Sequence, residues 1–405
     1  MHVLVLHQHY VPETAATAQL LGDLCEDLAA NGLEVTVITA QPSYRNPIQV
    51  ERLPAREVRA GVRIHRVRTY IPQRRTIPRR LFHYGSYFAS GLIESLRGDM
   101  PDVALILSTP PLLLGLTASV LKALKGVPFV YSVQDLYPDI AQHLGILRST
   151  LFYRFIDHVA SKLYRNANQI VTLSNTMRQS LLDKGVEAER CTVIPNWADT
   201  DAIRPLPRNN GFAKTLGLDN RFVVMYAGNV GLTQGLDVLV EAAHIVRDLP
   251  ITFAIIGDGN GLQSLKHAVN DRGLCSFVFF PPQPRTRLGE LLASSDAGFV
   301  SMQKGIAHDL VPSKLYGIMA ASRPVIASVE ADSEVARVIR KHGCGLVAPA
   351  QNPHRLAEAL KTAYGDSGLL MRQGCEGRRA AEFYYSRQVC TARYASILEQ
   401  FSPRS

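Results

Sequence analysis

Residues 308–327 read His-Asp-Leu-Val-Pro-Ser-Lys-Leu-Tyr-Gly-Ile-Met-Ala-Ala-Ser-Arg-Pro-Val-Ile-Ala. Pro312 and Ser313 suit the opening of a helix, with Ser313 as its N-cap. Leu315, Tyr316, Met319 and Ala320 then recur at helical spacing. Arg323 and Pro324 stop the run, and Val325, Ile326 and Ala327 have the composition of a buried strand. The stretch is thus a loop, a helix and a strand, one step of an α/β winding. It also places Lys314 in the first helical turn, where the backbone already carries partial positive charge. A bound anion such as a phosphate resolves that misfit, because the free amides and the ammonium would share it. A solvated lysine on a surface turn is the plainer alternative.

The same alternation extends in both directions. Strand-like runs precede it at Val3–Leu6, Glu34–Thr39, Val62–Arg68, Val103–Leu107, Pro128–Val133, Gln169–Leu173 and Cys191–Ile194. Helical patterns lie between many of them, notably Ala16–Ala30, Leu112–Lys125 and Thr150–Arg165. Residues 196–220 are polar, with Pro205, Pro207 and an Asn-Asn-Gly run, and read as a linker with a short helix. Strands resume at Phe222–Ala227, Thr252–Ile256, Ser276–Phe280, Ala297–Ser301, Pro324–Ala327 and Gly345–Val347, and Val389–Phe401 is a helix. The expected architecture is α/β: two Rossmann-like, doubly wound parallel-sheet domains, residues 1–200 and 201–384, with a cleft between them. Ligands of such sheets bind at the carboxyl ends of the strands.

Bulk properties exclude several classes. The chain has 405 residues, 46% hydrophobic and 20% charged, as suits a soluble globular protein of two domains. Its six cysteines form no C-x-x-C pair, which argues against a disulfide framework or a zinc site. A strand begins almost at Met1, so no signal peptide is expected. Val103–Leu121 lacks charge, but Pro110 and Pro111 in its middle fit a strand, a turn and a helix better than a membrane span. Between Arg52 and Arg80 lie ten arginines and one acid, Glu57; that surplus equals the net charge of +9, leaving the remainder formally neutral. Arg74, Arg75, Arg79 and Arg80 lead into Leu81–Leu96, which is rich in aromatic and aliphatic residues. Three readings compete: a solvated arginine face, contact of Arg52–Leu96 with an anionic membrane surface, or nucleic acid. No nucleic-acid motif accompanies the patch, and no nucleic-acid partner is expected.

Three loops carry the chemistry. Gly228, Asn229, Gly231, Gln234 and Gly235 follow one strand and precede a helical pattern, Leu236–Val246. Gly257, Asp258, Gly259 and Gly261 do the same after the next strand. The Pro312–Lys314 helix start is the third. Glycines admit close backbone approach, and helix starts offer free amides. Together they favour a phosphorylated ligand, a nucleotide above all. Neither a G-x-G-x-x-G fingerprint nor a Walker motif is present.

In order and spacing these motifs resemble the retaining glycosyltransferases of family 4, with the GT-B architecture, which implies that the final helix, about 385–405, packs back on the first domain. The pieces that carry the resemblance are Val3–Tyr10 with Pro12 and Glu13, Asn31–Thr39, Asp135–Asp139, Ile194–Asp199, Tyr226–Asn229, Ile256–Gly259 and Pro312–Ala320. The branch most like this chain builds O-antigen, capsule or colanic-acid-like polysaccharides. The resemblance implies transfer of a hexose from a nucleotide-diphosphate donor, UDP-linked above all, to a lipid-linked or saccharide acceptor. It places such an enzyme in the cytoplasm, peripheral at the inner face of the bacterial membrane. No metal and no cofactor beyond the nucleotide-sugar co-substrate are expected. The donor would sit on residues 228–235, 257–259 and 309–315, involving Gly228, Asn229, Gln234, Gly257, Asp258, Gly259, Pro312, Ser313 and Leu315. The acceptor would approach residues 7–15 and 135–139, with His9, Glu13, Thr14 and Asp139 in contact and Asp135 positioning its hydroxyl.

Two departures from the family pattern stand out. The arginine and lysine usual in the first glycine loop correspond to the neutral Asn229 and Gln234. The usual pair of glutamates separated by seven residues corresponds to Asp309 and Gly317. Charge develops on the departing pyrophosphate, so a cation is needed there. Lys314 is the candidate, with Arg323 a more distant one. In the family the first carboxylate contacts the donor sugar and the second the nucleotide ribose, and Glu334 is the candidate to replace that ribose contact. Two alternatives use the same loops: a non-catalytic nucleotide-sugar-binding protein and a GT-B nucleotide-sugar epimerase.

Overall fold

The computed structural model describes residues 1–43, 52–72, 77–108 and 112–402. The chain divides into two compact units, Met1–Pro195 with Arg387–Ser405, and Asn196–Ser386. Arg74, Arg75 and the turn at Pro110 and Pro111 lie outside the described residues.

Among the described residues the first unit holds strands β1 (His2–Leu6), β2 (Glu34–Ala40), β3 (Arg56–Arg59), β4 (Val62–Val67), β5 (Val103–Leu107), β6 (Phe129–Val133), β7 (Gln169–Thr172) and β8 (Cys191–Val193). Their order is β3-β4-β2-β1-β5-β6-β7-β8, parallel except for β3 against β4. Every residue of β5 and β6 is buried, as a sheet covered on both faces requires. Strand β3 has no counterpart among the sequence expectations. Its residues, Arg-Glu-Val-Arg, are mostly charged because it is an exposed edge. Ala60 and Gly61, both at positive φ (48° and 80°), form the two-residue turn that folds it onto β4.

The last helix, Arg387–Glu399, belongs to this first unit. It packs on helix Ala16–Ala30, and the Arg387 guanidinium donates to carboxylates of Asp23 (3.0 Å) and Asp27 (2.6 Å). Val103–Leu121 resolves into β5 and helix Leu113–Lys125. No described helix is long and apolar enough to cross a membrane.

The second unit contains β9 (Phe222–Ala227), β10 (Ile251–Ile256), β11 (Phe277–Phe280), β12 (Ala297–Ser301), β13 (Val325–Ser328) and β14 (Gly345–Ala348). All pairs are parallel, in the order β11-β10-β9-β12-β13-β14. Renumbered from β9 this is 3-2-1-4-5-6, the doubly wound order of dinucleotide-binding folds. Val224, Tyr226, Phe253, Phe299 and Ile326 form its core.

The segment at 196–220 is fastened rather than loose. Asn210 accepts from the amides of Phe212 (2.9 Å) and Ala213 (3.0 Å), capping the helix Gly211–Thr215. Arg323 donates to the carbonyls of Leu206 (2.8 Å) and Ala293 (2.7 Å). It precedes β13, so it stands at the amino edge of the sheet, opposite the glycine loops. This corrects the expectation that it might assist Lys314.

Candidate functional site

In the second sheet the winding reverses between β9 and β12, so the loops after these two strands border a gap at the carboxyl edge. The loops after β9 and β10 are clasped to each other. The Val230 amide donates to the Asp258 carbonyl (2.9 Å), and that of Gly261 to the Val230 carbonyl (3.0 Å). A Cβ on Gly257 would lie 1.9 Å from the Gly228 oxygen, and one on Gly259 2.2 Å from the Val230 oxygen. These glycines therefore serve loop-to-loop contact. Asp258 is exposed and accepts from the Gly259 amide of its own loop at 2.7 Å.

Gln234 is committed to its own loop, which corrects its assignment to a ligand. Its Oε1 accepts from the Gly231 amide (2.8 Å) and its Nε2 donates to the Thr233 hydroxyl (2.6 Å). Its carbonyl accepts from Ser301 at the end of β12 (2.6 Å), tying the first loop to the site's other wall. Asn229 and Gly228 remain exposed.

Lys314 begins a helix, Lys314–Ala320, as expected. The cap differs: Ser313 has helical backbone angles (φ −65°, ψ −21°) and its hydroxyl makes no capping bond. Pro312 supplies instead the carbonyl that accepts from the Leu315 amide (3.4 Å). The Leu315 side chain is fully buried, so it belongs to the core and not to a ligand. The Lys314 ammonium crosses to β9, 3.8 Å from the Tyr226 ring centroid and 2.5 Å from its hydroxyl. That hydroxyl in turn donates to the Asn229 carbonyl at 2.5 Å. A Cβ on Gly228, which lies at φ +146°, would come 3.5 Å from the ammonium. Lysine, tyrosine and the first loop thus form one chain across the switch point. Burial pushes the Lys314 amine down to about 7. The sequence marked Tyr226 only as the start of the Tyr226–Asn229 motif; its contact with Lys314 was not legible there, because a tyrosine in a buried strand reads as core.

Asp309 is buried in the loop between β12 and Lys314, its amide bonded to the Ile306 carbonyl at 3.1 Å. This loop is held to the one after β13: the Gly305 amide donates to Glu330 (2.9 Å), and His308 pairs with Asp332 (3.0 Å). Gly317 lies on the helix side that meets Leu292; a Cβ there would stand 3.4 Å from it and 3.9 Å from Ile203. Glu334 starts the helix after β13, at the same edge, and forms a close ion pair with Arg337. Burial pushes its carboxyl up against that pairing.

At the carboxyl edge of the first sheet, His9 pairs with Glu13 at 2.8 Å, and Glu13 also accepts from the Ser43 amide (2.5 Å). His7 is fully buried beside them, and burial first, then His9, pushes its pKa down to about 3 and keeps the ring neutral. Thr14 is exposed. Asp135 follows β6, half-buried, its amide near the Ser108 hydroxyl (3.3 Å). Asp139 is engaged structurally: Lys184 bridges it (3.0 Å) to Asp157 (2.5 Å), and Tyr153 donates to it (3.0 Å). This corrects its assignment to the acceptor. Among the described residues no cluster of three or more His, Cys, Asp or Glu side chains could hold a metal.

Two Rossmann-like sheets in two units, with a lysine and glycine loops at the switch point of the second, are the architecture of the GT-B class. The chain matches the Glycosyl transferase 4-like domain over residues 6–197 and Glycosyl transferases group 1 over 208–380. WcaI of Escherichia coli (strain K12), assigned as a colanic acid biosynthesis glycosyl transferase, is 31% identical, over 84% of this chain and 86% of its own length. WbjE of Pseudomonas aeruginosa, assigned as a glycosyltransferase, is 30% identical, over 65% and 66%. In fold the chain is similar to sucrose-phosphate synthase from Thermosynechococcus elongatus (TM-score 0.76, 17% identity, 99% and 98% covered). It is likewise similar to Anabaena Alr3699/HepE in complex with UDP-glucose (0.75, 16%, 99% and 100%). The chain belongs to the family 4 glycosyltransferases.

Proposed function

We propose that this glycosyltransferase transfers a hexose with retention, from a UDP-linked donor to a lipid-linked or saccharide acceptor, without a metal ion. The observation that carries the reading is Lys314, whose ammonium lies against Gly228 and Tyr226 at the switch point. When the donor binds, its diphosphate would draw that ammonium from the tyrosine ring and hold it protonated. As the glycosidic bond breaks, negative charge gathers on the leaving diphosphate, and a fixed cation lowers the barrier. With Gln234 bonded to its own loop and Asn229 neutral, Lys314 supplies that charge. Asp309 faces the donor sugar in this reading, and Asp135 orients the acceptor hydroxyl. Glu334 contacts the ribose only by giving up part of its hold on Arg337.

The acceptor reading places the enzyme in the cytoplasm at the inner face of a bacterial membrane. Leu81, Phe82 and Ile93 are exposed along helix Ile77–Arg97, with Arg68, Arg79 and Arg97 also exposed, which supports contact of Arg52–Leu96 with an anionic surface. Arg56, Arg63 and Arg66 are paired with Glu94, Glu34 and Glu57, so their charge is partly satisfied within the fold.

Lys314→Ala tests the reading. Transfer is expected to fall by about two to three orders of magnitude with an unchanged circular-dichroism spectrum. Undiminished turnover would remove Lys314 from the mechanism. Absence of transfer by the wild-type protein with any nucleotide sugar would favour a binding role, for which the glycine at 317 already speaks.

A further inference from the structure

Helix Thr150–Asn166 follows the Asp135 loop and leaves a large apolar surface uncovered. Leu151 is 81% exposed, Ile146 and Phe155 65%, and Phe152 52%. Such a cluster is uncommon on a protein with nothing to meet there. The inner side of the helix is accounted for: Ala160, Leu163 and Tyr164 are buried, and the helix packs on Leu113–Lys125. Ser149 caps the start through the Phe152 amide (3.3 Å), so the exposed face is held on a regular helix.

The charge around this face has one sign. From 141 to 166 the sequence holds Arg148, Arg154, Lys162 and Arg165 against a single acid, Asp157. All four cations are exposed, and Asp157 is engaged by Lys184 at 2.5 Å. Apolar side chains thus occupy the segment's first turns, and cations flank and follow them. β6 ends at Val133 and its parallel neighbour β7 starts at Gln169, so the helix begins at the carboxyl edge and runs back. The apolar end therefore stands at the edge that carries Asp135.

We infer that residues 146–162 form a lipid-docking surface: Ile146, Leu151, Phe152 and Phe155 enter the interface of an anionic bilayer while Arg148, Arg154 and Lys162 meet its phosphates. Apolar burial and attraction to anionic headgroups are the two contributions that hold such helices at a surface. The inference rests on the membrane reading for its partner, and it assigns the insertion to a segment other than Arg52–Leu96.

The full-length chain is assayed by flotation with vesicles of phosphatidylcholine alone and of phosphatidylcholine mixed with phosphatidylglycerol. Salt-sensitive binding to the mixed vesicles is expected. Leu151→Ser with Phe155→Ser should weaken it about tenfold or more. Because both side chains are exposed, melting temperature and donor hydrolysis should not change. Wild-type chain that floats with neither vesicle would overturn the membrane reading itself. Wild type and double variant floating equally with mixed vesicles would overturn this surface alone and leave Arg52–Leu96 standing. A wild-type dimer that the double variant dissociates would show a second copy covering the face, and would also overturn the proposal.

Discussion

An amine held down to about 7 by burial is half protonated near neutrality, which makes Lys314 a titrating group in the unliganded protein. Its folded pKa lies below the ordinary 10.5, so the sign is opposite to that of a paired lysine. The cost of burying the ammonium is present in full below about 7 and is lifted as pH rises toward 10.5. Binding of a diphosphate works the other way, since it favours the charged form. Above about 7 the donor must therefore bring a proton in, and its affinity should fall as pH rises, by up to about tenfold per unit. Calorimetric titration with UDP near pH 8, in buffers of different ionisation enthalpy, should show proton uptake that Lys314→Met abolishes. Equal apparent enthalpies in all buffers would show that Lys314 does not meet the diphosphate. At this scale the sequence disclosed the lysine because a cation at a helix start is out of place. It could not disclose the contact with Tyr226, which depends on β9 lying beside β12, a relation with no local signature.

Among the elements, buried parallel strands were legible because they are short continuous apolar runs, and their observed bounds lie within two residues of the expected ones. β3 escaped because an exposed, mostly charged edge strand carries no apolar run. The glycine loops were legible as loops, but their division of labour was not. Gly257 and Gly317 show why, through the same substitution. Gly257→Ala sets a methyl against the Gly228 carbonyl, a backbone atom that cannot turn aside. It should cost about 1–3 kcal/mol and weaken nucleotide binding, because the first loop must move. Gly317→Ala adds a methyl in ordinary contact with Leu292, inside a helix. It should stabilise by about 0.5–1 kcal/mol through lower unfolded-state entropy and better helix propensity. Urea melts of both variants decide this. Destabilisation by Gly317→Ala would mean that the helix needs the freedom of glycine, and that the position is not simply a lost side chain.

For the whole molecule, the sequence order and the spatial order diverge at the C-terminal helix. Arg387 sits 360 residues from Asp27 in the chain, yet its guanidinium reaches both Asp27 oxygens (2.6 and 2.9 Å) and Asp23 (3.0 Å), with Glu26 at 3.4 Å. Thr391 adds a bond to Asp27 (2.9 Å), and Tyr394 shares one with Ser132 (2.9 Å). The Asp23 carboxylate is almost wholly buried, so removing the guanidinium takes away a counter-charge where water cannot reach. Arg387→Met should therefore cost about 3 kcal/mol, far more than loss of an exposed pair such as Arg355 with Glu358. The destabilisation should be local to the unit that Arg387 completes. Hydrogen exchange is expected to speed up in helix Ala16–Ala30 and strand β6 and to stay unchanged in helix Asp237–Ile245. Equal acceleration in both units would mean that they unfold as one cooperative body, and the last helix would then be no more a part of the first unit than of the second.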